Sequence, residues 1–109
     1  MARFTKGDIV IVNFPYTDQT DFKRRPALII IVPPGNNVVI VQITSQDRGP
    51  YPIPIIQADL TTGTLNQQSY VQPDVIVTVN ESIIYGKAGS LKQKKMDEVI
   101  NKIVELLKK

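Results

Sequence analysis

With 109 residues the chain is long enough to fill one domain and bury a core without covalent staples. It has no cysteine and no histidine, which excludes disulfides, thiolate zinc sites, a cysteine nucleophile and imidazole acid–base chemistry. The net charge of +3 is no argument for nucleic acid binding, because residues 1–90 hold seven Lys/Arg against seven Asp/Glu and residues 91–109 supply the excess, six against three.

No segment approaches the ~20 apolar residues of a membrane span. The apolar run at residues 9–12 is too short for a signal peptide, so the expectation is a soluble cytoplasmic protein. Residues 9–14 read as a first strand of β-branched residues ended by Pro15. Residues 16–22 form a polar loop with Tyr16 and Phe22 at its ends, aromatic faces on which bases can stack.

The densest local charge outside the C-terminal segment follows: Lys23-Arg24-Arg25-Pro26, running directly into the apolar strand 27–32. Proline is tolerated as the first residue of a strand and pushes the residue before it into extended backbone. That reading puts Arg25 at the mouth of a rigid strand, where its side chain has a fixed direction. Pro33-Pro34 and Gly35-Asn36-Asn37 then make a turn, so strands two and three form a hairpin. Along residues 38–44, period two puts Val39, Val41 and Ile43 on one face and Val38, Ile40, Gln42 and Thr44 on the other. The second face turns polar toward its end, which places Thr44 where core gives way to rim.

Residues 51–56 read as a short edge strand because of their prolines. Residues 57–68 give only turn signals. A strand over 69–80 is bulged at Pro73-Asp74, and 81–89 reads as connecting structure with a brief strand at 83–85. Ser90 and Gln93 read as a capping box opening a helix over about residues 91–108. Met96, Val99, Ile100, Ile103, Val104 and Leu107 make its apolar stripe. The expectation is one mainly β domain over 1–109, a small SH3-like barrel with a C-terminal helix. One helix cannot cover both faces of two all-apolar strands, so a homodimer is expected to cover the remainder.

Gly7-Asp8-Ile9-Val10 with Asn13-Phe14-Pro15, then Lys23 to Ile29, then Val41-Gln42-Ile43-Thr44 and Asp74 to Val79, resemble MazF/PemK-type toxins in order and spacing over nearly the whole chain. The resemblance implies a small dimeric barrel that cleaves single-stranded RNA in a toxin–antitoxin system, neutralised by a cognate antitoxin. It implies Arg25 as catalytic arginine, Thr44 as its partner and Asp74 as the acidic residue near the scissile phosphate. Tyr16, Gln19, Phe22, Lys23 and Arg24 become the expected RNA-binding residues. The chain departs from better-known members at Gln19-Thr20-Asp21, where they carry Ser-Glu-Gln, and at Val77, where they often carry arginine.

Without histidine, an arginine fork holding two phosphate oxygens is the available means of stabilising the transition state, and a partly buried Asp74 is the leading general base. No cofactor or metal is expected. Two other readings are a non-catalytic, CcdB-like poison of a protein target and an RNA-binding module whose catalysis has lapsed. The first has against it the absence of the tryptophan-bearing C-terminal tail, since the chain has no tryptophan.

Overall fold

β-Branched residues crowd the first third of the chain, and such residues fit a pleated sheet better than a helix. The computed structural model describes residues 3–15 and 22–109. Its strands are β1 (Asp8–Pro15), β2 (Phe22–Ile31), β3 (Asn37–Thr44), β4 (Ile53–Ile55), β5 (Leu60–Gly63), β6 (Ser69–Asn80) and β7 (Ile84–Leu91). Single 3₁₀ turns at Gln57–Asp59 and Glu81–Ile83 precede β5 and β7, and one helix, α1 (Gln93–Leu107), ends the chain. The seven strands form one antiparallel sheet in the order β4-β6-β3-β2-β1-β7-β5. Its outermost strands are its shortest, and β4 carries Pro54, as the prolines of 51–56 led us to expect. Short strands and proline blunt the open edge against further pairing.

Alternation along each strand sends side chains to two faces, and each face has its own core. One holds Ile9, Leu28, Ile30, Val41, Ile43, Val71 and Leu91, capped by Met96, Val99 and Ile103 of α1. The other holds Val10, Val12, Ala27, Ile29, Val38, Ile40, Val79 and Ile84, with Phe4 packed among them. Val79 on β6 and Ile84 on β7 stand four strands apart in the sheet yet share this second core. They can do so only because the sheet curls over that face into a half-barrel. Val12, Ala27, Ile29 and Ile40 are completely buried in the single chain. The premise that a second copy must cover β1 and β2 is therefore not met: curling does the work.

Three local differences from the sequence reading have identifiable causes. The second strand begins at Phe22, not Ala27, because β1 pairs with all of Phe22 to Leu28. Pro26 is thus inside the strand; pairing with β3 starts only at Ala27, so on that side Pro26 is still at an edge, where a missing N–H is tolerated. The 83–85 strand extends to Leu91 because both β1 and β5 pair with it. Ser90 consequently belongs to β7, its hydroxyl 3.0 Å from that of Thr62, and α1 starts three residues later without a side-chain cap.

Asp59 sets that start instead. Its carbonyl accepts from the Lys92 N–H at 2.8 Å, and its carboxylate accepts from the Ile56 N–H at 2.9 Å and lies 3.6 Å from Lys95 Nζ. Where β5 meets β7, Gly63 (φ 95°) pairs with Gly89. A Cβ on either would lie within about 2.5 Å of a carbonyl oxygen across the pair, so only glycine fits this contact. Among the described residues no helix is long and apolar enough to cross a membrane.

Candidate functional site

Arg25 pairs with Val12, and the β1–β2 ladder is unbroken from Ile9↔Leu28 to Pro15↔Phe22. Alternation is therefore regular through the charged run. Arg25 and Lys23 share the face of Ala27 and Ile29, the self-closed one, whereas Arg24 lies on the other. On β3, Val38 and Ile40 are buried on that same self-closed face, and Gln42 and Thr44 continue it, partly exposed. The β2–β3 register pairs Ala27 with Gln42; carried on by two residues, it sets Arg25 opposite Thr44. Strand alternation thus turns Arg25 and Thr44 to the same side of the sheet, just past the end of the β2–β3 ladder at the rim of the self-closed core. Directly opposed side chains on adjacent strands are within reach of one shared ligand.

Thr44 Oγ1 accepts from the Gln46 N–H at 3.2 Å. That contact uses a lone pair and leaves the hydroxyl proton to donate. On the next strand Tyr70 pairs with Thr44 and Gln72 with Gln42. Gln42 Nε2 donates to Gln72 Oε1 at 3.2 Å, and Gln72 is only 8% exposed. This amide pair holds the floor beside Thr44. The loop after β3 adds Arg48, which donates to Gln46 Oε1, a cation on the same segment whose backbone binds Thr44.

Asp74 falls in the expected bulge. Val41 pairs with Ile76 and Gln42 with Gln72, so Pro73, Asp74 and Val75 have no partner on β3. Pro73 fills the buried position and Asp74 is solvent-exposed. The partial burial expected of a general base is therefore absent in the chain alone, since the proline has taken the inward place. Asp74 also stands past Gln72, a step along β6 from the Arg25–Thr44 pair.

The remaining expected residues divide. Lys23 is exposed on Arg25's face and Arg24 exposed on the opposite one. There Arg24 Nε donates to Asn13 Oδ1 at 3.2 Å, and its guanidinium carbon sits 3.7 Å from the centroid of the Tyr85 ring. Tyr16 and Gln19 lie outside the described residues; Phe22 is the first residue of β2. The sequence reading missed Gln42, Gln72, Tyr70, Arg48, Asn13 and Tyr85. The first three follow from the β3–β6 register. Arg24's placement follows from alternation once the strand is started at Phe22.

Comparison with known proteins bears on the family and the fold. Residues 5–107 match the family model described as PemK-like, MazF-like toxin of type II toxin–antitoxin system. Among solved structures, the chain is similar to the Mycobacterium tuberculosis toxin MazF-mt6, with 26% identity and a TM-score of 0.66 over 89% of this chain and 91% of that one. It is also similar in fold to MazF from Deinococcus radiodurans, with 21% identity and a TM-score of 0.71 over all of both chains. A further similar fold is an endoribonuclease in complex with its cognate antitoxin from mycobacterial species, at 20% identity, TM-score 0.66, 95% of this chain and 91% of that one. No curated protein matches. A match spanning nearly the whole chain, on the fold and strand order described above, settles its membership: the chain belongs to the PemK/MazF toxin family of type II toxin–antitoxin systems.

Proposed function

We propose that the chain is a sequence-specific endoribonuclease that cleaves single-stranded RNA without a metal ion. The observation that carries the reading is the placement of Arg25 and Thr44 on one face of adjacent strands, at the rim of a rigid core. A similar fold being an endoribonuclease bound to its antitoxin supports both the activity and an antitoxin as partner. The 2′-oxygen attacks the adjacent phosphorus, the P–O5′ bond breaks, and the products are a 2′,3′-cyclic phosphate and a 5′-hydroxyl. Arg25 holds two phosphate oxygens through its fork, and the Thr44 hydroxyl donates to the same group as charge builds. Asp74, exposed until RNA covers it, takes the 2′-hydroxyl proton, and the departing 5′-oxygen takes a proton from water. The nucleophile is internal to the substrate, so no bound hydroxide has to be generated.

We further propose a homodimer acting in the cytoplasm. What supports the dimer is not an uncovered core but a flank: Ile31, Val39 and Ile76 lie on the helix-bearing side of adjacent strands, and Ile31 and Ile76 are exposed along with Val104 and Leu107 of α1. The test is incubation of the purified chain with a mixed RNA pool in EDTA, followed by sequencing of the cut ends. Cleavage at a recurring motif with 2′,3′-cyclic phosphate ends is expected. Cleavage that requires added magnesium, or no cleavage at all, overturns the reading.

A further inference from the structure

The face of β2 turned away from Arg25 carries a second, separately built arrangement. Arg24 and Asn13 are cross-strand partners on β2 and β1. Val12 pairs with Ile84 and Ile11 with Gly86, leaving Tyr85 as the extra residue of a bulge in β7, and its ring comes up beside Arg24. The Arg24 guanidinium is held in two ways: its Nε donates to the Asn13 carboxamide at 3.2 Å, and its plane lies over the Tyr85 ring at 3.7 Å. A flexible side chain is thereby fixed in one orientation before any ligand arrives, which lowers the entropy lost on binding. Tyr85 is 61% exposed, so the pair is open to solvent. Next to the stack is a hollow of about 760 Å³ lined by Asn13, Arg24, Ser82 and Ile83.

We infer that this hollow is a nucleobase subsite, taking a base of single-stranded RNA that flanks the cut. A base needs a flat polarisable surface to stack on, an apolar wall and a few hydrogen-bonding groups at its edge. Arg guanidinium planes and aromatic rings are the surfaces on which unpaired bases stack. Ile83 supplies the wall, and the Asn13 carboxamide and Ser82 hydroxyl supply edge partners. With Nε committed to Asn13 and one flat against Tyr85, the guanidinium keeps its other flat for a base and its Nη–H donors for that base's edge. Arg24 and Asn13 face away from Arg25 while Ile83 packs on the margin of the self-closed core, so the subsite would engage a base a few nucleotides from the scissile phosphate. It rests on the RNA-cleaving reading above.

The experiment compares wild type, Arg24→Ala, Tyr85→Leu and Tyr85→Phe. Cleavage of a nested set of RNA oligonucleotides sharing one cut site is measured, with a 2-aminopurine placed in turn at each flanking position. A matched set carrying 2′-deoxyribose at the cut site reports binding alone. At one flanking position the 2-aminopurine fluorescence is quenched by wild type and by Tyr85→Phe, and not by Arg24→Ala or Tyr85→Leu. Arg24→Ala lowers kcat/KM about tenfold on the long substrates, toward the low end of what a stacked base is worth, and the deficit shrinks as that flank is trimmed. If wild type cuts RNA but Arg24→Ala cuts all lengths equally less, or no less, the subsite is wrong and the nuclease reading stands. If wild type cuts nothing yet the uncleavable RNA shows Arg24-dependent quenching, the subsite stands and the nuclease reading falls. Loss of antitoxin affinity in Arg24→Ala with RNA quenching intact assigns the hollow to the protein partner and overturns the proposal.

Discussion

On one face of the sheet a separate element, α1, supplies Met96, Val99 and Ile103 to close the core; on the other the sheet closes over itself, with β6 and β7 meeting across the curl. Both cores are dry, but they end differently. Beneath α1 the helix-bearing core is finished by side chains that pack and by the Asp59 contacts that seat the helix. The self-closed face runs out along its own strands into Gln42, Thr44 and Arg25. Substitutions beneath α1 should therefore register as stability, and substitutions at the rim of the second face as activity on a fold that is unchanged.

The largest expected effect is at the rim. Arg25→Ala should lower the cleavage rate by about 10²–10³, equivalent to about 3–4 kcal/mol of transition-state stabilisation, with its melting temperature close to wild type. Arg25→Lys should be nearly as damaging, because lysine keeps the charge and loses the fork. Initial rates on one RNA substrate, beside thermal melts, test both, and a fully active Arg25→Ala would remove the basis of the comparison. On the helix face, Met96→Ala deletes a side chain that is 3% exposed. It should cost about 2–3 kcal/mol in urea unfolding, while the folded fraction cuts RNA at the wild-type rate.

Thr44→Val keeps the shape and removes the hydroxyl; we expect a loss of about tenfold in rate from the missing hydrogen bond to a charged group, with little change in stability. A Thr44→Val that loses stability and keeps its rate would place Thr44 in the packing instead. The smallest effect should come from Asp59→Ala. It removes the cap on the Ile56 N–H and the pairing with Lys95, and should lower stability by about 1 kcal/mol without altering cleavage per folded molecule.

Much of this contrast was legible in the sequence. The two faces of 38–44, the polar end at Thr44, the edge character of 51–56 and the bulge at Pro73-Asp74 all follow from period two and from where proline can sit. What escaped was decided by partners distant in sequence. Lys23 to Pro26 looks like a charged approach to a strand; its pairing with β1 makes it strand, and that in turn divides Arg24 from Arg25 between two faces. Ser90 has the local chemistry of a helix cap, but the ladders to β1 and β5 claim it first. The inward proline and outward aspartate of the bulge could not be told apart by order alone. The stack of Arg24 on Tyr85 depends on β1 lying between their strands, which no local pattern encodes.

The pairing of β1 with β7 also has a bearing on how the protein is made. β1 ends at Pro15 and its outer partner does not begin until Ile84, so the curl cannot close while the chain is still emerging from the ribosome at about 5–20 residues per second. Non-local pairing of this kind forms slowly, in milliseconds to seconds. Arg25, Thr44 and Asp74 are all synthesised well before the strand that fixes β1 beside them. A nascent or prematurely terminated chain therefore carries every candidate catalytic side chain before the curl that completes the self-closed core has formed.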